Sequence, residues 1–325
     1  MSVTRAVLRG CGHYLPERVV ENAEFEAMVE TSDEWIQSRS GIERRHFAAE
    51  NEKTSDLAIK AALMALENTE LEPGDIDAIV LATATPDQTF PSTASRVQHA
   101  LGMKNGYAFD IQAVCAGFIY AISTANALIV SGQARRVMVI GAETFSRILD
   151  FNDRATCVLF GDGAGAIILE AHQGEGLSSD RGVLSTDLHS DGAYNDLLYV
   201  DGGVSSTGTA GVVKMQGREV FKHAVAKLAE AGETAVEKAG LELGDIDWIV
   251  PHQANLRIIK ATAAKIGVPM DKVIVTVQDH GNTSAASIPL AMSVASQRGD
   301  FKRGDLLLME AIGGGLALGA ATLRW

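Results

Sequence analysis

The sequence predicts an α/β protein made of two similar halves packed as one body, and three observations carry that prediction. A ten-residue segment recurs almost unchanged. The helix-like and strand-like runs around both copies follow the same order. The composition, finally, suits a large buried core. The recurrence joins residues 71–80, LEPGDIDAIV, to residues 241–250, LELGDIDWIV, with eight of ten positions identical at an offset of 170 residues. An internal repeat of this kind decides the architecture before any local propensity does.

Each copy follows apolar residues at helical spacing: Leu57, Ala61, Met64 and Ala65 before the first, Phe221, Val225 and Leu228 before the second. In both, a Gly-Asp-Ile-Asp turn leads into a short β-rich run, over 78–81 and 248–250. Downstream, a helical stretch over 115–131 ends near Gly132, and Arg135 and Arg136 lead into a strand over 137–140. Its counterpart over 284–297 ends near Gly299, and Lys302 and Arg303 lead into a strand over 306–309. The spacing of these strands is 169, so the register holds to within one residue. A duplicated α/β unit explains this better than chance recurrence of a common turn. The halves are expected at residues 1–174 and 175–325, with the junction in the Gly-, Ser- and Asp-rich stretch 174–211.

The 325 residues are 46% hydrophobic and 21% charged, which is globular rather than disordered. With 28 basic and 41 acidic residues the formal charge is −13, which argues against nucleic acid as a partner. Three cysteines in a chain this long do not make a disulfide framework. The opening MSVTRAVLRG is broken by Arg5 and Arg9 and does not resemble a signal peptide. Residues 111–133 carry no charge and could span a bilayer by length. Gln112, Ser123, Thr124 and Asn126 interrupt them, however, and no other segment is similar. They are expected to form a central helix buried by protein, and the chain to be cytoplasmic and not membrane-bound.

In a duplicated body, reactive groups are expected where equivalent helix starts face each other. Cys115 stands at such a start, where unpaired backbone N–H groups and the helix dipole favour a thiolate, so its pKa is expected to be depressed. Cys11 and Cys157, inside apolar runs, are expected to be inert buried thiols. Adding 169 to 115 reaches Ser284, two residues after Asn282, whose amide can donate a hydrogen bond without changing charge. His252 follows directly from the second repeat strand, and strand ends are where sites gather in α/β sheets. No histidine has metal-ligand spacing. A Cys-His-Asn set admits two chemistries. One is papain-type hydrolysis, whose cysteine-to-histidine gap of about 130–150 residues includes the 137 found here. The other is acyl transfer followed by condensation. The cysteine's local signature and the duplicated α/β body disfavour the first.

Taken together, several motifs identify the chain as similar to the β-ketoacyl-acyl-carrier-protein synthase III family of condensing enzymes. They are Cys115 in its apolar setting, Pro251-His252-Gln253-Ala254-Asn255-Leu256-Arg257, Gly281-Asn282-Thr283-Ser284-Ala285-Ala286-Ser287-Ile288-Pro289 and Gly313-Gly314-Gly315. Gly12-His13-Tyr14-Leu15-Pro16, Thr31-Ser32-Asp33-Glu34-Trp35-Ile36 and Gly161-Asp162-Gly163-Ala164-Gly165 extend the likeness from about residue 3 to Trp325. The resemblance implies a thiolase-like fold in five α/β/α/β/α layers, working as a homodimer on acyl-CoA and acyl carrier protein, with no metal or redox cofactor. It implies a structural turn and strand for Gly161–Gly165 rather than a phosphate loop. A thiolase's second cysteine is absent after Cys157. Asn282 stands where the elongating synthases have a second histidine. For the same reason His280 is not expected to be catalytic.

Carried over by residue, the resemblance makes Cys115 the acyl-accepting nucleophile and the backbone N–H groups of Cys115 and Gly314 an oxyanion hole. It makes His252 and Asn282 the donors to the malonyl thioester carbonyl. It implies that Trp35 and Arg154 sandwich the adenine of CoA, and that Arg39, Met215, Gly217 and Asn255 touch CoA or its pantetheine arm. Phe90 is expected at the partner subunit's acyl pocket. Ile312, where the family often has Phe, leaves the primer open between acetyl-CoA, the default, and a longer or branched acyl-CoA. Residues 253–270 lack acidic side chains, and Arg257, Lys260 and Lys265, with Lys222, form a candidate docking patch for acidic carrier protein. Two alternatives stay open: a relative that makes a specialised ketone, quinolone or polyketide starter, and a non-catalytic carrier-protein binder.

Overall fold

The two copies of the repeat fold identically because each aspartate has a fixed task. In a computed structural model, which describes residues 2–325, each copy forms one 3-10 turn, Pro73–Asp75 and Leu243–Asp245. Asp75 accepts the Glu72 N–H at 3.0 Å and Asp245 the Glu242 N–H at 2.9 Å, closing the turn. The second aspartate reaches the neighbouring strand. Asp77 accepts the N–H groups of Arg135 and Arg136 at 2.7 and 2.8 Å, and Asp247 that of Leu306 at 2.8 Å. Between them Ile76 and Ile246 are buried.

The first half contains β1 (Val3–Tyr14), β2 (Arg18–Glu21), α1 (Asn22–Glu26), α2 (Asp33–Ser40), β3 (Arg44–Phe47) and α3 (Thr54–Glu67). It continues through β4 (Ala78–Ala82), α4 (Thr93–Leu101), β5 (Tyr107–Ile111), α5 (Gly117–Val130), β6 (Arg136–Thr144), α6 (Arg154–Cys157) and β7 (Asp162–Gly174). The remainder is β8 (Gly182–Ser190), β9 (Leu198–Val200), β10 (Val213–Met215), α7 (Gly217–Lys238), β11 (Trp248–Pro251) and α8 (Leu256–Ile266). The last elements are α9 (Val277–His280), α10 (Ser287–Arg298), β12 (Leu306–Gly313) and β13 (Ala317–Arg324).

One sheet has the order β1-β7-β6-β4-β5 and the other β11-β12-β13-β8. Read from β8, the second repeats the first, and a single bridge between Ile249 and Val273 stands where β5 would lie. Register fixes the duplication: Ala78 pairs with Val137 as Trp248 pairs with Leu307, both shifted by 170. The strand spacing of 169 expected from the apolar runs is therefore one short.

Strand alternation builds the five layers. Ala78, Val80 and Ala82 face the central layer of α5 and α10, while Ile79 and Leu81 face α3 and α4. Leu307, Met309 and Ala311 meet the central layer from the other sheet, while Leu306 and Leu308 face α7 and α8. The uncharged stretch is thus a central helix, α5, with Phe118, Ile119, Ala121, Ile122 and Ala125 fully buried. No described helix is long and apolar enough to cross a membrane.

Close approach at two glycines seats the second half on the first. Gly141 and Gly165 are register partners on β6 and β7. A Cβ on Gly141 would stand 2.2 Å from the Ala285 carbonyl oxygen, and one on Gly165 would stand 2.5 Å from the Leu290 nitrogen. Both neighbours are backbone and cannot rotate away. Gly141→Ala is therefore expected to destabilise the fold by about 2–3 kcal/mol, measured by guanidinium unfolding; unchanged stability would contradict this packing. The Gly161–Gly165 segment is a turn and strand. Asp162 accepts the Ala48 N–H and Ser146 N–H, each at 2.8 Å, and the Ser146 hydroxyl at 2.6 Å.

Candidate active site

Cys115 lies in a 3-10 turn, Val114–Ala116, that precedes α5, so the regular helix begins two residues later than the sequence suggested. The equivalent turn is Ser284–Ala286, before α10. With the offset of 170, the counterpart of Cys115 is Ala285 and that of Ser284 is Val114, correcting the alignment of Cys115 with Ser284. The backbone marks the same pair. Val114 and Ser284 have φ of 47° and 50°, the only non-glycine residues with positive φ among those described. For a β-branched valine this is a costly conformation, held by the surrounding structure. It presents Cys115 against the end of β12, where a Cβ on Gly313 would be 2.7 Å from the Cys115 nitrogen. As the second residue of its turn, Cys115 has no intrahelical partner for its N–H.

The depressed thiol pKa expected from the helix start is not found. Cys115 is buried, and loss of hydration pushes its thiol up to about 12, although the nearby Ser284 hydroxyl acts downward. With its pKa raised this far Cys115 is a thiol near neutrality and needs a proton acceptor. Cys11 and Cys157 are also buried free thiols whose pKa burial raises, that of Cys157 to about 11.

His252 follows β11 directly, and its N–H donates to the Glu310 carbonyl at 2.8 Å. Its ring Nδ1 lies 2.7 Å from the Ser287 Oγ at the start of α10. Ser287 Oγ also accepts the Gln253 N–H at 3.3 Å; with the Ser287 proton given to Nδ1, the imidazole hydrogen stands on Nε2. Burial holds this histidine neutral, with its pKa lowered to about 3. Gln253 brackets the loop from behind. Its amide donates to the Pro251 and Ile274 carbonyls, and its oxygen accepts the N–H groups of Thr276 and Val277. Asn282 is tied to the first half through Gly161 N–H to its carbonyl at 3.0 Å and its own N–H to Leu159 at 2.9 Å. Its side-chain oxygen accepts the Ser284 N–H at 3.0 Å, which leaves the amide NH₂ to donate. Ser287 and Gln253 were not singled out from sequence, although both lie inside the quoted motifs.

The other candidate residues lie on the surrounding elements. The Arg154 guanidinium stands 4.6 Å from the centre of the Trp35 ring, and that of Arg39 stands 5.5 Å from it. Arg154 is held there by the Glu30 carbonyl. Met215 ends β10 and Gly217 opens α7. Asn255 caps α8, accepting the Ile258 N–H at 2.9 Å. Phe90 is 82% exposed on the single chain. Ile312 is buried with Ala224, Leu228, Ile258, Leu316 and Leu318, on the α7–α8 side of its sheet. Lys222, Arg257, Lys260 and Lys265 are all exposed, and so is Arg218, which sequence reading passed over. Arg257 lies over the Phe221 ring at 5.4 Å and Lys222 is 3.2 Å from Glu219.

A duplicated sheet pair with a buried thiol at one central-helix start, a neutral imidazole behind the other and donors around both defines a thiolase-like condensing acyltransferase. Comparison with known proteins narrows this. Residues 109–192 match the family model for 3-oxoacyl-[acyl-carrier-protein] synthase III, and residues 236–325 match the model for its C-terminal part. The chain is 70% identical over 321 residues to a β-ketoacyl-[acyl-carrier-protein] synthase III of Cereibacter sphaeroides, covering 99% of each chain. It is equally close, with the same coverage, to one from Ruegeria pomeroyi. The crystal structure of 3-oxoacyl-[acyl-carrier-protein] synthase III from Aquifex aeolicus superposes with a TM-score of 0.92 at 46% identity, covering 98% of this chain and all of that one. A priming β-ketosynthase of the R1128 polyketide pathway superposes at 0.91 with 34% identity, covering 99% of this chain and 96% of that one. The chain therefore belongs to the 3-oxoacyl-[acyl-carrier-protein] synthase III family.

Proposed function

We propose that this protein initiates fatty-acid synthesis by joining an acyl-CoA primer, acetyl-CoA by default, to malonyl-acyl carrier protein. The products are a 3-oxoacyl-acyl carrier protein, CoA and carbon dioxide. The observation that carries the reading is the setting of Cys115: a buried thiol pressed by its strained turn against the glycine end of β12. The thiolate attacks the primer thioester and CoA departs. The N–H groups of Cys115 and Gly314 receive the developing oxyanion. Malonyl-carrier protein then binds, and His252 Nε2–H and the Asn282 amide donate to its thioester carbonyl as carbon dioxide leaves. Neutral donors suit this step, since neither gives up its proton to the enolate. The carbanion attacks the acyl-cysteine and regenerates Cys115. The scheme draws on no metal or redox cofactor.

Trp35 and Arg154 hold the adenine of CoA in this reading, with Arg39, Met215, Gly217 and Asn255 along the rest of the molecule. At 4.6 Å the guanidinium closes the slot over Trp35, so Arg154 swings aside when CoA enters. Trp35→Ala is expected to raise KM for acyl-CoA about tenfold, the loss of one stacking partner, with kcat little changed because the contact persists through the reaction. Initial rates against acyl-CoA concentration measure this, and an unchanged KM would place the adenine elsewhere. Arg218, Lys222, Arg257, Lys260 and Lys265 form the docking face for acidic carrier protein, a local exception on a chain of charge −13.

The protein is expected to be a cytoplasmic homodimer in which Phe90 and Ile312 border the acyl pocket. Phe90 and Tyr107 are exposed on the single chain, and Tyr107 begins the unpaired edge strand β5. A second reading, a specialised polyketide starter enzyme, is favoured by the likeness to the R1128 priming synthase. Assaying acetyl-CoA and longer acyl-CoAs against the general carrier protein and a pathway-specific one separates the two by acceptor.

A further inference from the structure

Arg45, on β3, is a cation in a place that would suit an apolar side chain. It is the largest of the fully buried side chains, and among the described residues no Asp or Glu pairs with it. Burial lowers its pKa to about 10, so it stays charged near neutrality. A buried charge without a counter-ion is costly. What the guanidinium provides in return is a rigid set of contacts. It stands 4.7 Å from the centre of the buried Phe25 ring. Its two terminal nitrogens donate to backbone carbonyls far apart in the chain, Val20 at 3.2 Å and Val158 at 2.6 Å, while Nε has no partner. A planar fork serves two carbonyls at fixed directions, which the single ammonium of lysine does not.

The Val158 contact leads directly to Asn282. The next residues, 159–161, form a parallel bridge with Asn282 centred on Phe160. In it the Leu159 carbonyl accepts the Asn282 N–H at 2.9 Å, and the Gly161 N–H donates to the Asn282 carbonyl at 3.0 Å. Arg45 also packs against both sides of that bridge. A Cβ on Gly161 and a Cβ on Gly281 would each stand 3.0 Å from the Arg45 Cβ. Gly281 has φ 65° and ψ −163°, a conformation essentially confined to glycine, so the chain reaches Asn282 by a path that Arg45 borders. β3 meets the same loop a second time, through the Glu43 N–H to the Gln278 carbonyl at 2.9 Å. Because the Asn282 side-chain oxygen is taken by the Ser284 N–H, the direction of its NH₂ follows from where the bridge lies.

We propose that Arg45 is a positioning residue for the condensation step. By holding the Val158 carbonyl and bordering the glycines on either side of the bridge, it fixes the Asn282 amide where the malonyl thioester carbonyl arrives. Fully buried, it touches no substrate and acts only through Asn282. The two half-reactions therefore depend on it differently. Cys115 is placed by its own strained turn and by the close approach of Gly313, and neither includes a partner of Arg45. The inference rests on Asn282 serving condensation.

The test separates two single-turnover steps by intact-protein mass: acetylation by acetyl-CoA, and discharge of the acetyl-enzyme by malonyl-carrier protein. It uses wild type, Arg45→Met, Asn282→Ala and the double variant. Arg45→Met should be acetylated at the wild-type rate and discharged about 10²-fold more slowly, the scale on which a small misplacement of a catalytic group is felt. The double variant should discharge no more slowly than Asn282→Ala alone, because Arg45 has no other route to the chemistry. Losses that multiply in the double variant, equal slowing of both steps in Arg45→Met, or wild-type discharge in it would each overturn the proposal. An Asn282→Ala enzyme that discharges normally overturns instead the reading of Asn282 on which the proposal rests. If Arg45→Met does not fold, Arg45→Lys, which keeps the charge without the fork, and Phe25→Leu, which removes the ring beside the guanidinium, take its place. Slowed discharge with unchanged acetylation then supports the proposal, and any other pattern overturns it.

Discussion

Cys115→Ala is expected to lower condensation by about 10⁶-fold, the scale on which loss of a covalent nucleophile is felt. The reason is that the rest of the site has no substitute. The only other cysteines, Cys11 and Cys157, are buried, Cys11 beside Ser293 and Ser296 and Cys157 on α6. Alanine fills the space of a small buried thiol, and its counterpart in the other half, Ala285, already occupies the equivalent turn. The variant should therefore fold as the wild type does, with a circular dichroism melt close to it. Release of CoA from acetyl-CoA in the presence of malonyl-carrier protein measures the effect. A loss of only tenfold would mean that the primer is transferred without a covalent cysteine.

His252→Ala and Asn282→Ala should fail at the other half-reaction. In the proposed scheme each removes one donor to the enolate oxygen, which typically costs about 10²–10³ in rate. The mechanism predicts a distinctive residue of that failure: the acyl-enzyme forms and then accumulates, because condensation no longer consumes it. Intact-protein mass during turnover would show mostly acylated enzyme in either variant and mostly free enzyme in wild type. If instead the variants stayed unacylated, His252 or Asn282 would be serving the cysteine rather than the malonyl group. Ser287→Ala is expected to show the same accumulation more weakly, since its hydroxyl is the partner of the His252 Nδ1 at 2.7 Å.

The duplication was legible because its signature is functional at the level of hydrogen bonds. Gly-Asp-Ile-Asp recurs since one aspartate closes a turn, the isoleucine is buried and the other aspartate ties two strands. The alignment of Cys115 erred by one residue because strand starts were taken from apolar runs, which do not mark where pairing begins. Sheet register does. The thiol pKa went wrong for a different reason. A helix start is a local feature of the chain, but Cys115 is covered by segments distant in sequence, the glycine end of β12 at Gly313 and the turn at Ser284. The buried Glu143 was invisible for the same cause: Thr83, Ala84 and Thr85 reach it from one segment on another strand's end, with no spacing that suggests a contact. Only the family resemblance brought Trp35 and Arg154 together in the sequence, because α2 alone gives Trp35 no sign of its neighbour; the structure places the guanidinium 4.6 Å from the ring centre.

The central claim is a covalent acyl group on Cys115 that is handed to malonyl-carrier protein. The direct measurement is the mass of the intact wild-type protein after acetyl-CoA, with peptide mapping of the adduct, followed by addition of malonyl-carrier protein. The account predicts one acetyl group, on Cys115, discharged as acetoacetyl-carrier protein. Labelling only by a longer acyl-CoA would keep the mechanism and change the primer. No acylation by any thioester would contradict the account.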